Sequence, residues 1–177
     1  MKQLRRLLWF ITVRLFALCV ISALLVVTFY LSMNITNIVI LLKDGMAARA
    51  QVVLGIDSDI SRLEKFFTQE CLQHDANTQR ALVGSGDYKD YDIRGLDHRL
   101  SMEWIWSWPW EDTASAIVVE SVPAIDGKVK TSLRSDVLEQ RGEEGLTPPE
   151  WREVRYRVTL ARLEGRWIIS ALTAADS

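Results

Sequence analysis

The apolar and polar positions divide the chain into a uniform stretch, a helical stretch and an alternating stretch. From Leu15 to Met33, nineteen consecutive residues, LFALCVISALLVVTFYLSM, carry no charge. At about 1.5 Å per residue they cover roughly 28 Å as a helix, the thickness of a bilayer's hydrocarbon core. A helix is also the form in which a single segment satisfies its backbone polar groups without water. The pattern therefore predicts a transmembrane helix at 15–33, preceded by a basic, interfacial segment at 1–14. There Trp9 sits at headgroup depth and Arg14 snorkels toward water. The triplet Ala48-Arg49-Ala50 resembles a signal-peptide cleavage site, but it follows the apolar run by about fifteen residues, too far for cleavage. The span is accordingly read as an uncleaved anchor.

Past the span, Ile35, Ile38, Val39, Leu42, Met46 and Val53 recur at helical intervals. They predict an amphipathic stalk over 34–56, whose stripe packs on its own domain, on a second copy or on another membrane protein. Asp57-Ser58-Asp59 offers cap side chains, Ser61 and Glu64 have the spacing of a capping box, and Ile60, Leu63, Phe67 and Cys71 share a face, which predicts a helix over 58–73. The glycine- and aspartate-rich residues that follow read as loop with at most a short element.

From Leu100 onward the period becomes two. Predicted strands run over 101–110, over 115–125 up to a hairpin signal at Asp126-Gly127, and over 129–140. After the loop GEEGLTPPE come a strand with Val154, Tyr156, Val158 and Leu160 on one face, a Glu164-Gly165 turn, and a last strand over 166–172. A helix followed by antiparallel strands predicts an α+β domain over 57–177, a helix packed on a curved sheet.

Charge bears on sidedness. Residues 1–33 hold Lys2, Arg5, Arg6 and Arg14 and no acid; taking these four from the 21 basic residues leaves 17 against 23 acids, so residues 34–177 carry a net charge of −6. Positive charge before the span orients the N-terminus to the cytosol and the domain outside it. An acidic domain lacks the footprint for binding nucleic acid. Two cysteines, Cys19 in the apolar run and Cys71 alone elsewhere, are too few for a disulfide scaffold or a four-ligand zinc site.

The closing strands carry a resemblance. EDTASAIVVESV and REVRYRVTLARLEGRWIISAL are similar to the last strands of the nuclear transport factor 2-like superfamily, with Asp112-Thr113-Ala114 at one strand start and Gly165-Arg166-Trp167-Ile168-Ile169 at the last. The resemblance covers roughly 58–172 and implies a cone formed by a curved sheet around a helix. It also implies, from membrane-anchored members of that superfamily, a place in a bacterial secretion, conjugation or sporulation channel assembly. Enzymes and small-molecule binders of the superfamily have a conical cavity lined by aromatics and a few acids or histidines.

The candidates for such chemistry here are Asp97 and His98, with Tyr88, Tyr91 and Asp92 nearby in sequence. Neighbours on a strand point to opposite faces, so Asp97 and His98 read better as a solvated loop pair than as a proton relay. His74-Asp75 finds no third ligand spaced for a metal, Gly84-Ser85-Gly86 lacks the lysine of a phosphate-binding loop, and no serine stands in a nucleophile elbow. No catalytic residue, metal or cofactor is expected.

The strongest local signal is Trp104, Trp106, Trp108 and Trp110, four of the seven tryptophans, at every second position. Alternation places them on one face together with Met102. Trp104 and Trp106 are expected in the core, whereas Pro109, which suits a strand end, places Trp108 and Trp110 at a partly exposed rim. That rim suits a docking spot for other membrane or envelope proteins or a headgroup contact. The expectation is a non-enzymatic, single-pass scaffold whose partners are the bilayer and other membrane or envelope proteins, with a second copy of the chain as a further option. The alternative is an extracytoplasmic module that holds a lipid or small molecule against the tryptophans, and a third possibility is an enzyme using Asp97 and His98.

Overall fold

The computed structural model describes residues 2–175, without the side chains of Lys2, Leu4, Leu7 and Leu8. Its first element, α1 (Lys2–Val53), is one unbroken helix of 52 residues. The apolar run and the amphipathic stripe are thus two lengths of the same rod. From Trp9 onward α1 is long and apolar enough to cross a membrane, and the apolar window packs against nothing within the chain. Beyond it Ile38, Leu42 and Met46 are fully buried, so the predicted stalk is the central helix of the domain. Each such side chain contributes about 1.5–3 kcal/mol on burial. Gly45 lies mid-helix, where glycine costs about 1 kcal/mol relative to alanine. A Cβ there would stand 3.0 Å from Phe66 Cβ and 3.2 Å from Ile169 Cδ1, so its absence lets these side chains close on the helix.

The helix expected over 58–73 is broken in two. A 3-10 turn over Ile60–Lys65 is capped by Asp59, not by a Ser61–Glu64 box, and α2 (Gln69–His74) starts at the Thr68 cap. Phe67 interrupts them with a parallel bridge to Ile169, flanked by the hydrogen bonds Thr68 N–Ile169 O and Ile169 N–Phe66 O. A short α3 (Ala76–Leu82) follows in the segment read as loop.

Among the described residues, four strands form one antiparallel sheet in sequential order: β1 (Tyr91–Ser107), β2 (Thr113–Val129), β3 (Trp151–Leu163) and β4 (Arg166–Ala174). Irregularities in every pairing curve it. Its inner face, with Ala116, Val118, Val158, Leu160 and Ile169, closes on Ile38, Leu42, Met46, Leu63 and Phe67. A second, smaller cluster at the far end of α1 joins Leu54 to Tyr88, Tyr91 and Ile93. β1 therefore starts beside the far end of α1 and runs back toward the apolar end.

Two expected elements are corrected. Asp126-Gly127 makes no hairpin, because β2 runs through it with Gly127 opposite Ile93. A Cβ on Gly127 would lie 2.7 Å from Ile93 Cδ1, so the glycine serves close strand approach and not a turn. The strand expected over 129–140 is a 3-10 turn followed by α4 (Arg134–Arg141), which buries Val137. The loop after it is not wholly solvated, since Gly145 is buried and its carbonyl accepts a 3.0 Å hydrogen bond from the Tyr91 hydroxyl.

Candidate functional site

All four tryptophans of the 104–110 stretch are exposed: Trp104 by 47%, Trp106 by 53%, Trp108 by 38% and Trp110 by 67%. Trp104 and Trp106 are not core residues, contrary to the alternation reading, and the cause is a single shift of register. Met102 pairs with Val118, on the inner face, whereas Trp104 pairs with Ile117, on the outer face. The bulge between them reverses the parity of the strand. Thus Leu100, Met102 and Ile105 pack on the core, Ser107 is buried, and the indoles stand outside.

The rings form a ladder. Trp104 and Trp106 stack with centroids 6.3 Å apart and planes 5° from parallel, Trp106 and Trp108 with 6.1 Å and 16°, and Trp108 and Trp110 lie 5.5 Å apart at 57°. Such pairs contribute about 0.5–1.5 kcal/mol beyond area burial, which holds the ladder as one surface. β1 ends at Ser107, so Trp108 and Trp110 belong to a turn closed by the bond from Glu111 N to Trp108 O. Beside the ladder the outer face carries Ile117 on β2 and Arg157 on β3, and Arg155 pairs with Glu103 at 2.7 Å. That ion pair is half exposed and contributes little. Because the rings point away from the inner face, they do not wall a cavity between sheet and helix.

A second assembly lies inside. Arg49 of α1, 1% exposed, donates to both carboxylate oxygens of Asp75 at 2.7 and 2.9 Å and to Glu120 at 3.3 Å. Glu120, fully buried on β2, also meets His98 Nε2 at 3.1 Å, and Asp75 accepts from the hydroxyl of Thr78 while capping α3. The Arg49 guanidinium lies 5.5 Å from the Tyr156 ring centre. Burial opposes each charge, and the pairing outweighs it: the Asp75 carboxyl is held below its ordinary range and the Arg49 guanidinium above its own. Nearby, burial pushes the Cys71 thiol up to about 11, with the Asp75 charge adding to the effect, so it stays protonated at neutral pH.

His98 is therefore a partly buried partner of Glu120 and not half of a solvated loop pair, whereas Asp97 turns outward to Arg99 at 2.7 Å. Tyr88 stacks on Trp151 and Tyr91 bonds Gly145, both remote from His98 in role. The sequence offered signals for the cluster that pattern reading passed over. Arg49 follows Met46 by three residues on the buried stripe, and Glu120 takes an inward position in the apolar strand AIVVESV. A charge on a buried face requires a partner.

No protein-family profile, curated protein or solved structure matches this chain.

Proposed function

We propose that the chain is a single-pass, membrane-anchored scaffold of a bacterial envelope complex, of the secretion, conjugation or sporulation-channel type, acting by protein binding and not by catalysis. The observation that carries this reading is the outward tryptophan ladder. Four exposed indoles present on the order of 400 Å² of surface, the size of the largest apolar patch on a typical monomer, which is often a functional surface. The basic residues ahead of the apolar run support a cytosolic N-terminus and an extracytoplasmic domain. A nuclear transport factor 2-like cone is supported by the sequence likeness, by Thr113 and Arg166 standing at the starts of β2 and β4, and by a helix enclosed in a curved sheet. The buried charge cluster supports a structural role, since its members engage one another and the neighbouring thiol is held protonated.

The test is site-specific photocrosslinking of the full chain in its own membrane, with the probe at Ser115 or Thr159, outer-face positions that pair with each other beside the ladder. The reading expects an adduct of defined mass that disappears in Trp104→Ala/Trp106→Ala, twice the chain's mass identifying a second copy. Failure to form any adduct, or one indifferent to both substitutions, contradicts it.

A further inference from the structure

The ladder does not end in open space. Its lower rings belong to the β1–β2 turn, and two bonds fix that turn's height relative to α1. Arg162 N donates to Asp112 O at 2.7 Å, tying the β1–β2 turn to the β3–β4 hairpin. The Arg162 guanidinium donates to Asn34 Oδ1 at 3.1 Å, tying that hairpin to the residue next after the apolar segment Leu15–Met33. A groove beside it brings Asn37, Ile40, Asp44 and Phe66 against Gly165, Arg166 and Trp167, so the β3–β4 turn lies level with the first three turns of helix beyond Met33, and the Arg162–Asp112 bond holds the β1–β2 turn beside it. At about 1.5 Å per residue, Asn34 stands within a few ångströms of the end of the apolar run. The headgroup region on each side of a bilayer is roughly 5–8 Å deep.

We infer that Trp108 and Trp110, together with the exposed Leu163 of the opposite turn, form an interfacial collar that rests in the lipid headgroup layer around the emerging helix. The inference rests on the anchor reading above and names lipid as the occupant of the ladder's lower end. Three features argue for lipid there. The collar is continuous with the apolar rod through the Asn34–Arg162 bond. Its exposed groups, Trp110 at 67%, Leu163 at 52% and Trp108 at 38%, combine aromatic and aliphatic surface with indole N–H donors, the chemistry favoured at the boundary of hydrocarbon and water. Arg162, whose guanidinium is held by Asn34 and the Trp167 ring, and Arg166 are offset by Glu111, Asp112 and Glu164 in the same two turns, so zwitterionic lipid suffices and no anionic lipid is required. Trp106 and Trp104, two and four residues before Trp108, stand above the layer and remain available to protein.

The full chain reconstituted in pure phosphatidylcholine vesicles doped with headgroup-nitroxide lipid tests this by tryptophan quenching. Trp108→Phe/Trp110→Phe is expected to remove a larger share of the quenchable emission than Trp104→Phe/Trp106→Phe. Phenylalanine at these exposed positions leaves the core untouched, and unchanged far-ultraviolet circular dichroism verifies the fold. Trp9, on α1 itself, reports insertion independently. If Trp9 is quenched while loss of the 108/110 pair leaves the quenchable emission unaltered, the collar is overturned and the anchor stands. Should Trp9 emission also ignore the nitroxide, the anchor fails and the collar with it.

Discussion

Arg49 and Asp75, twenty-six residues apart, meet through a two-point ion pair with N···O distances of 2.7 and 2.9 Å. This pair links α1 to the junction of α2 and α3, and Glu120 extends the link into the sheet. The fold thus holds its central helix to its outer helices by charge as well as by apolar packing.

Arg49→Met removes the one cation shared by Asp75 and Glu120 and leaves both acids under-paired beneath the sheet. Unfolding of the detergent-solubilised chain should show a loss of about 3–5 kcal/mol, the usual cost of breaking a buried pair from one side. Adding Glu120→Leu to that variant should restore part of the loss, because an unpaired buried acid is exchanged for apolar volume. Equal stability of wild type and Arg49→Met by denaturant titration would show that the cluster is energetically idle.

Acid should weaken the domain through Asp75. Its folded pKa lies below the ordinary value, so the stabilisation is present above the unfolded carboxylate's pKa, about 3.9, and is lost as pH falls from there through the folded value. Melting temperatures between pH 6 and pH 2.5 should drop most steeply in the lower part of that range. In Asp75→Asn this part of the slope should flatten, and an unchanged slope would place the acid sensitivity elsewhere.

Exposed and buried tryptophans should separate cleanly. Trp104→Ala/Trp106→Ala should cost about 1 kcal/mol or less from lost stacking, while Trp167→Ala, whose ring is buried on β4, should cost about 3–5 kcal/mol. Chemical denaturation of the three proteins decides the matter, and comparable losses at both sites would mean that the ladder is part of the core.

A fragment over 57–177 should not fold, because it lacks Ile38, Leu42, Met46 and Arg49. A fragment over 34–177 keeps these side chains and should give dispersed amide resonances in solution. Folding of the shorter piece would show that the rod is dispensable to the sheet.

What was legible in the sequence followed uniform periodicity. Leu15 to Met33 is uniformly apolar and is helical as expected, and the stripe through Ile38 and Met46 and the strands carrying Val154 to Leu160 and Trp167 to Ile169 each obey one period from end to end and form the expected elements. What was not legible turned on interruptions of a period by tertiary structure. The bulge after Met102 reverses the tryptophan face, the Phe67–Ile169 bridge splits a helix, and Gly127 accommodates Ile93 where its dipeptide signals a turn. Of the candidate site, the ladder was visible as a pattern though assigned in half to the core. His98 was visible as a residue, but its partner Glu120 lies on a neighbouring strand that alternation alone does not bring beside it.

One further consequence belongs to α1, whose single uninterrupted rod both carries the apolar length that lies in lipid in the anchor proposed above and fills the sheet. Such a joint has no swivel. Each residue of an α-helix turns it by about 100°, so inserting or deleting one residue within the span would swing the indole stack to another compass bearing above the membrane. A neighbour approaching in the bilayer plane would meet the ladder or miss it according to which side of the spanning helix it had engaged, so that packing among lipid-embedded helices would set the azimuth of whatever assembles outside.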